Sequence, residues 1–176
     1  VTRKITRGLT RVDAGLEKCI YLGNLNSKRD WGHAKDYVKM QWLMLQQDEP
    51  EDFVIATGRM VTIRKFIEIC AIKLNWNGHL NQPGIIWEGE GLNEVGRRAD
   101  TNEIVIKVDP RYFRLTEVDQ LVGDSKKGFE KLGWVPEITL EETIDEMINE
   151  DRNKALEESL LIKGGFKVNP TIRIPT

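Results

Sequence analysis

Residues 21–58, YLGNLNSKRDWGHAKDYVKMQWLMLQQDEPEDFVIATG, are the stretch whose reading decides the fold. Upstream of it, CIYLGN (19–24) is a short strand running into a turn at Gly23-Asn24. After the loop NSKRDWG, residues 33–47 return to helical spacing, and Pro50 marks the stop because the residue before a proline avoids the helical region. DFVIATG (52–58) is a continuous apolar run closed by Gly58, which predicts a strand buried on both faces. Strand, helix and strand in close succession argue for an α/β chain.

Working outward, Ile5, Leu9, Val12 and Leu16 are spaced by four, three and four and predict one face of a helix, which Gly15 weakens. Downstream, a helix is expected at about 62–75 with Ile63, Phe66, Ile67, Cys70 and Leu74 inward. Residues 76–103 are the least regular, with a short strand at 85–88. IVIKV (104–108) is a β run ending at Asp109-Pro110. Asp124 can cap a short helix that ends at Gly133. Thr139 with Glu142 forms a capping-box pattern for a helix from about 140 to 160. The tail, 164–176, has two glycines and two prolines and is expected to be loose.

Composition narrows the classes. The chain has 176 residues, 40% hydrophobic and 31% charged, with a formal net charge of −2 that calls for neither nucleic acid nor an anionic membrane. The average hides two blocks: residues 1–11 carry Arg3, Lys4, Arg7 and Arg11 with no acid, and residues 137–151 carry seven acids and no base. The basic block reads as a solvated face and the acidic block as the exposed side of a helix. No apolar stretch approaches the roughly 18 residues needed to span a bilayer, and the opening residues lack the apolar core of a signal peptide. Cys19 and Cys70 read as small core residues, and so few cysteines fit a reduced cytoplasmic setting. The opening VTRKITRGLTR, with no initiator Met and an amphipathic segment under way, is expected to be a cut inside a longer protein.

No proton-transfer or nucleophilic centre emerges, so the expected catalytic set in this chain is none. His33 and His79 lie near no partner at a catalytic or metal-ligand spacing, and no metal is expected. Tyr21, Tyr37 and Tyr112 are not followed four residues later by Lys. GEG at 89–91 is too short for a phosphate-cradling loop. His33 suits a helix cap. Fixed cations for an anionic ester are available at Lys4, at Arg29 in KRDWGH and at Arg114 in DPRYFRLTEV, with Glu117 three residues on. Guanidiniums match phosphate oxygens, and a carboxylate beside one can accept from ribose hydroxyls. Taken singly, each is ordinarily a solvated or ion-paired surface group, and Trp31 is ordinarily a core or loop anchor. The residues alone support an α/β domain that binds an anion.

Several strings go further. VTRKIT (1–6), residues 21–58, VDPRYFRLTEVDQLVGD (108–124) and KLGWVPEITL (131–140) resemble the GDP-mannose 4,6-dehydratases of the extended short-chain dehydrogenase/reductase family. RDWGHAKDYV (29–38) separates these from related epimerases and reductases. The resemblance covers about residues 1–160, with 76–103 similar only in kind. It implies an NAD(P)-binding Rossmann-fold enzyme that binds NADP on an N-terminal domain and the nucleotide sugar in a C-terminal one. The reaction oxidises mannose at carbon 4, eliminates water across carbons 5 and 6 and returns the hydride to carbon 6, yielding GDP-4-dehydro-6-deoxy-mannose for GDP-fucose and related deoxysugars. A ketone at carbon 4 acidifies the neighbouring carbon-bound proton, so a modest base can remove it.

Carried over by position, the resemblance implies that Val1 and Lys4 line the nucleotide pocket and that Leu22, Gly23 and Asn24 lie against the guanosine. Arg29 and Arg114 would contact the diphosphate and Glu117 the ribose. Residues 1–163 would be the nucleotide-sugar-binding portion, with 33–58 packing on the Rossmann domain, and partners would be GDP-mannose, that domain and further copies in a homo-oligomer, dimer or tetramer. The family's cofactor loop, its Thr/Ser and Glu catalytic partners and its Tyr-x-x-x-Lys pair would lie before Val1, so this chain alone is expected to be inactive. Leu115 stands where the family usually has proline. Two other readings compete: part of another nucleotide-sugar epimerase or reductase, and a non-catalytic nucleotide-binding module.

Overall fold

The computed structural model describes residues 1–78, 83–116 and 122–168. These fall into two units: residues 1–24, 67–114 and 144 onward, and residues 25–66 and 115–143.

In the first unit, helix α1 (Thr2–Asp13) buries Ile5 and Leu9 completely. It stops two residues before Gly15, so Leu16, predicted on its apolar face, lies beyond its end. Strand β1 (Ile20–Leu22) follows as expected.

In the second unit, β2 (Lys28–Asp30) leads to α2 (Ala34–Leu45), and β3 (Met60–Thr62) to α3 (Ile63–Lys73), whose later turns belong to the first unit. His33 caps α2, its Nδ1 accepting from the Lys35 amide at 3.1 Å. The four predicted inward residues on α3 are buried, as is the fifth, Leu74, one residue past its end.

The predicted strand at 52–58 does not form. Those residues are unpaired, Val54 is 51% exposed, and the segment is instead held at its end by Asp30. The Asp30 carboxylate accepts from the Thr57 amide (3.1 Å), the Thr57 hydroxyl (2.5 Å) and the Gly58 amide (2.8 Å). An apolar run makes a strand only with a ladder partner, and among the described residues the pairing falls to β3, antiparallel to β2 with Arg29 opposite Val61.

The sheet of the first unit has the order β1-β6-β5-β4, from β4 (Ile85–Glu88), β5 (Val95–Arg98) and β6 (Ile104–Val108). β1 and β6 run parallel, with Tyr21 opposite Lys107, and the other pairs are antiparallel. β5 lies within the stretch read as irregular. GEG at 89–91 falls in the β4–β5 connection beside a single 3₁₀ turn, not between a strand and an α-helix.

Two further helices follow among the described residues. α4 (Lys126–Leu132) receives Asp124 at its start, where the carboxylate accepts from the Lys126 amide at 2.9 Å, and ends at Gly133 with φ of 64°. α5 (Leu140–Lys163) opens on the expected capping box. The Thr139 hydroxyl accepts from the Glu142 amide (3.2 Å), while Glu142 accepts from the Thr139 amide (2.8 Å) and hydroxyl (2.7 Å). The acidic run is not wholly exposed: Asp151 is 5% exposed and accepts from the buried Thr6 hydroxyl of α1 at 2.7 Å. Nor is the basic block simply solvated, since Arg11 pairs with Glu17 at 2.7 Å and also with Glu158. Residues 169–176 of the tail lie outside the described residues, as does His79.

Candidate functional site

The parallel pairing of β1 with β6 brings the turn after β1 against the loop after β6. The Asp109 amide donates to the Leu22 carbonyl at 2.8 Å, extending the strand pairing by one bond. Next comes Gly23, where an added Cβ would lie 2.0 Å from the Tyr112 carbonyl oxygen. Glycine is what lets the two backbones touch. Asn24 then uses both ends of its amide on one residue: Nδ2 donates to the Arg114 carbonyl at 2.8 Å, and Oδ1 accepts from the Arg114 amide at 2.8 Å. A side chain here imitates a strand partner and fixes Arg114, whose side chain is exposed.

Within the loop, the Asp109 carboxylate accepts from the Arg111 amide (2.9 Å) and guanidinium (2.7 Å). These bonds hold its carboxyl below the usual carboxylate range, Arg111 contributing first through its side chain and then through its backbone. Lys4, on the first turn of α1, places its ammonium 3.5 Å from the centroid of the Tyr112 ring. Partial burial pulls Lys4 below the ordinary lysine value; Asp109 opposes this and Arg111 adds to it. Val1 precedes α1, is 62% exposed, and its carbonyl accepts from the Ile5 amide. Leu22 is 3% exposed and serves as core.

Of the residues named from sequence, Lys4, Gly23, Asn24 and Arg114 thus surround one loop of the first unit. Arg29 belongs to the second unit, half-buried on β2, where its guanidinium donates to the Lys28 carbonyl at 2.8 Å. Glu117 lies outside the described residues. Sequence reasoning missed Asp109, Arg111 and Tyr112. Asp109-Pro110 had been read only as the end of a strand.

Two cavities lie elsewhere, one within each unit. One of about 440 Å³ is lined by Arg3, Arg7, Arg11, Asp151, Glu157 and Glu158 among others, and one of about 560 Å³ by Trp31, Thr57, Arg59, Val61, Glu137 and Thr139 among others. Neither is lined by the residues proposed for the nucleotide. Trp31 stacks tilted on Phe66, centroids 4.9 Å apart, as an anchor.

Among the described residues, no group of three His, Cys, Asp or Glu is arranged to hold a metal ion. Nor is any helix there long and apolar enough to cross a membrane. Burial pushes the Cys70 thiol up and, against the pull of Lys107, the Cys19 thiol up to about 11, so neither has thiolate character near neutral pH. Cys19 is only half-buried, a boundary residue rather than the core residue expected.

Solved structures share this fold. RMD from Pseudomonas aeruginosa, complexed with NADPH, superposes with a TM-score of 0.66 over 87% of this chain and 42% of that one, at 18% identity. A dTDP-glucose 4,6-dehydratase from Bacillus anthracis, in complex with NAD, gives 0.57 over 86% and 40%, at 15% identity. The likeness covers about two fifths of each of these nucleotide-cofactor-bound proteins and shows an α/β fold shared with them.

Sequence narrows this to one family. The profile for GDP-mannose 4,6 dehydratase matches residues 1–147, and a GDP-mannose 4,6-dehydratase of Yersinia enterocolitica is 48% identical over 98% of this chain and 47% of its own length. The chain belongs to the GDP-mannose 4,6-dehydratase family. That alignment also runs past residue 160, where the resemblance read from motifs had stopped. The chain spans about half the length of the curated relatives it matches.

Proposed function

We propose that this chain is the C-terminal, GDP-binding portion of a GDP-mannose 4,6-dehydratase, a carbon–oxygen lyase forming GDP-4-dehydro-6-deoxy-mannose for deoxysugar synthesis. The observation that carries the reading is the convergence of Lys4, Asn24 and Arg114 on one backbone-locked loop, in a chain 48% identical to a dehydratase of that name. A loop whose backbone is fixed before the ligand arrives loses little freedom on binding it, and a guanidinium carried on it suits a diphosphate. Arg114 is assigned to the diphosphate, Lys4 and Val1 to the nucleotide pocket, and Leu22 and Gly23 to the wall behind it. For Arg29 and Glu117 the assignment rests on the family motif alone.

The full-length protein is proposed to use NADP, which takes up the hydride and returns it. The short GEG segment sits in a β-hairpin connection and offers no cradle for a dinucleotide. NADP is assigned mainly to the N-terminal domain, together with the catalytic groups. The chain alone is expected to be inactive. Residues 33–58 are proposed to pack on the cofactor domain, with assembly into a cytoplasmic homo-oligomer.

Calorimetry on the full-length protein tests the reading: GDP-mannose should bind in preference to UDP- and dTDP-sugars. Preference for a UDP- or dTDP-sugar would instead make it one of the related epimerases or reductases.

A further inference from the structure

Tyr112 sits in unusually constrained surroundings. Its amide donates to the Asp109 carbonyl at 3.0 Å, and its carbonyl abuts Gly23, so its backbone has little room to shift. Its half-buried ring presents a face to the Lys4 ammonium, 3.5 Å from the centroid. Lysine carries a compact charge on a flexible four-carbon stem and is poorly placed unless something selects among its rotamers. The negative face of an aromatic ring does so without a carboxylate that would compete with an incoming phosphate for the same charge. The nearby carboxylate, Asp109, is occupied by Arg111.

We infer that Tyr112 is a positioning residue for nucleotide recognition: the face of its ring, held by the Gly23 turn, fixes the Lys4 ammonium that meets the nucleotide. This rests on the reading of Lys4 as a nucleotide contact, and the test separates the two.

In the full-length protein, GDP-mannose affinity and steady-state KM and kcat are measured for Lys4→Met, Tyr112→Leu, Tyr112→Phe and the Lys4→Met/Tyr112→Leu double variant. Tyr112→Leu should raise Kd and KM by about five- to tenfold, the scale of a partly desolvated cation–π contact, and Lys4→Met by about tenfold or more, the scale of a lost charge-assisted contact, with kcat unchanged in both. The double variant should be no worse than Lys4→Met alone, and Tyr112→Phe, which keeps the ring, should stay within about twofold of the parent. Tyr112→Gln, of similar reach without a π face, repeats the measurement if the leucine variant is unstable.

If Lys4→Met weakens binding and Tyr112→Leu does not, the positioning role is wrong while the nucleotide reading stands. Additive effects in the double variant would mean that Tyr112 merely supports the loop, which also overturns the inference. Unchanged affinity in Lys4→Met would remove the nucleotide role of Lys4 and this inference with it.

Discussion

Two hydrogen bonds from the Asn24 side chain, one to each backbone group of Arg114, do at the end of β1 what a neighbouring strand would otherwise do. The consequence is a fixed backbone at Arg114 beneath an exposed guanidinium. In the full-length protein, Arg114→Ala is predicted to weaken GDP-mannose binding by about 2 kcal/mol, the scale of a lost charge-assisted hydrogen bond. Arg29→Ala is predicted to cost the same. Calorimetric affinity unchanged in both variants would remove the site assignment. The Asp109–Arg111 pair has a pH signature. Because the folded Asp109 carboxyl is held low, its contribution is fully present above the unfolded value near 3.9 and is lost as pH falls through the lower folded value. Amide exchange in residues 109–114 should therefore be insensitive to pH-induced loosening from neutral down to about pH 4, and protection should fall only in stronger acid. The cations proposed for this site stood out in sequence, Lys4 in a basic helical turn and Arg114 in a turn-rich string. Tyr112 did not, because an aromatic in a loop acquires its role only when a parallel pairing, remote in sequence, lays Gly23 and Lys4 beside it.

Elements were legible where their signals are local. The capping box at Thr139 and Glu142, the His33 cap and the inward face of α3 all depend on residues within a turn or two of one another, and all formed. Thr139→Ala is predicted to lower stability by about 1 kcal/mol, read as a shift in the denaturant midpoint. Thr6→Val should cost about 2 kcal/mol, because it leaves the buried Asp151 carboxylate short of a donor; a Thr6→Ser variant, which keeps the hydroxyl, should recover most of the loss. Where pairing decides, the reading failed in both directions. The apolar run at 52–58 has the composition of a buried strand but no ladder partner among the described residues. β5 was hidden because VGRR contains a glycine, which usually punctuates a loop. In the sheet that glycine makes room: a Cβ at Gly96 would lie 2.9 Å from the Trp87 ring and 3.1 Å from Ile106.

At the scale of the whole chain, family membership came from long motif strings, while the α/β class came from the order of elements. The opposed charge blocks were visible in sequence, but the side-chain contacts between α1 and α5 were not. Only the packing of α1 on α5 turns Arg11 toward Glu158 and Thr6 toward Asp151. Because the chain spans about half the length of its curated relatives, its proposed activity belongs to the full-length protein.

The most direct test is to follow GDP-mannose with the full-length protein and NADP by proton NMR. Removing the carbon-6 hydroxyl creates a methyl group, so a new methyl doublet should grow as the carbon-6 methylene signals fade. Intact GDP-mannose under those conditions, with turnover of a UDP- or dTDP-sugar in its place, would contradict the account.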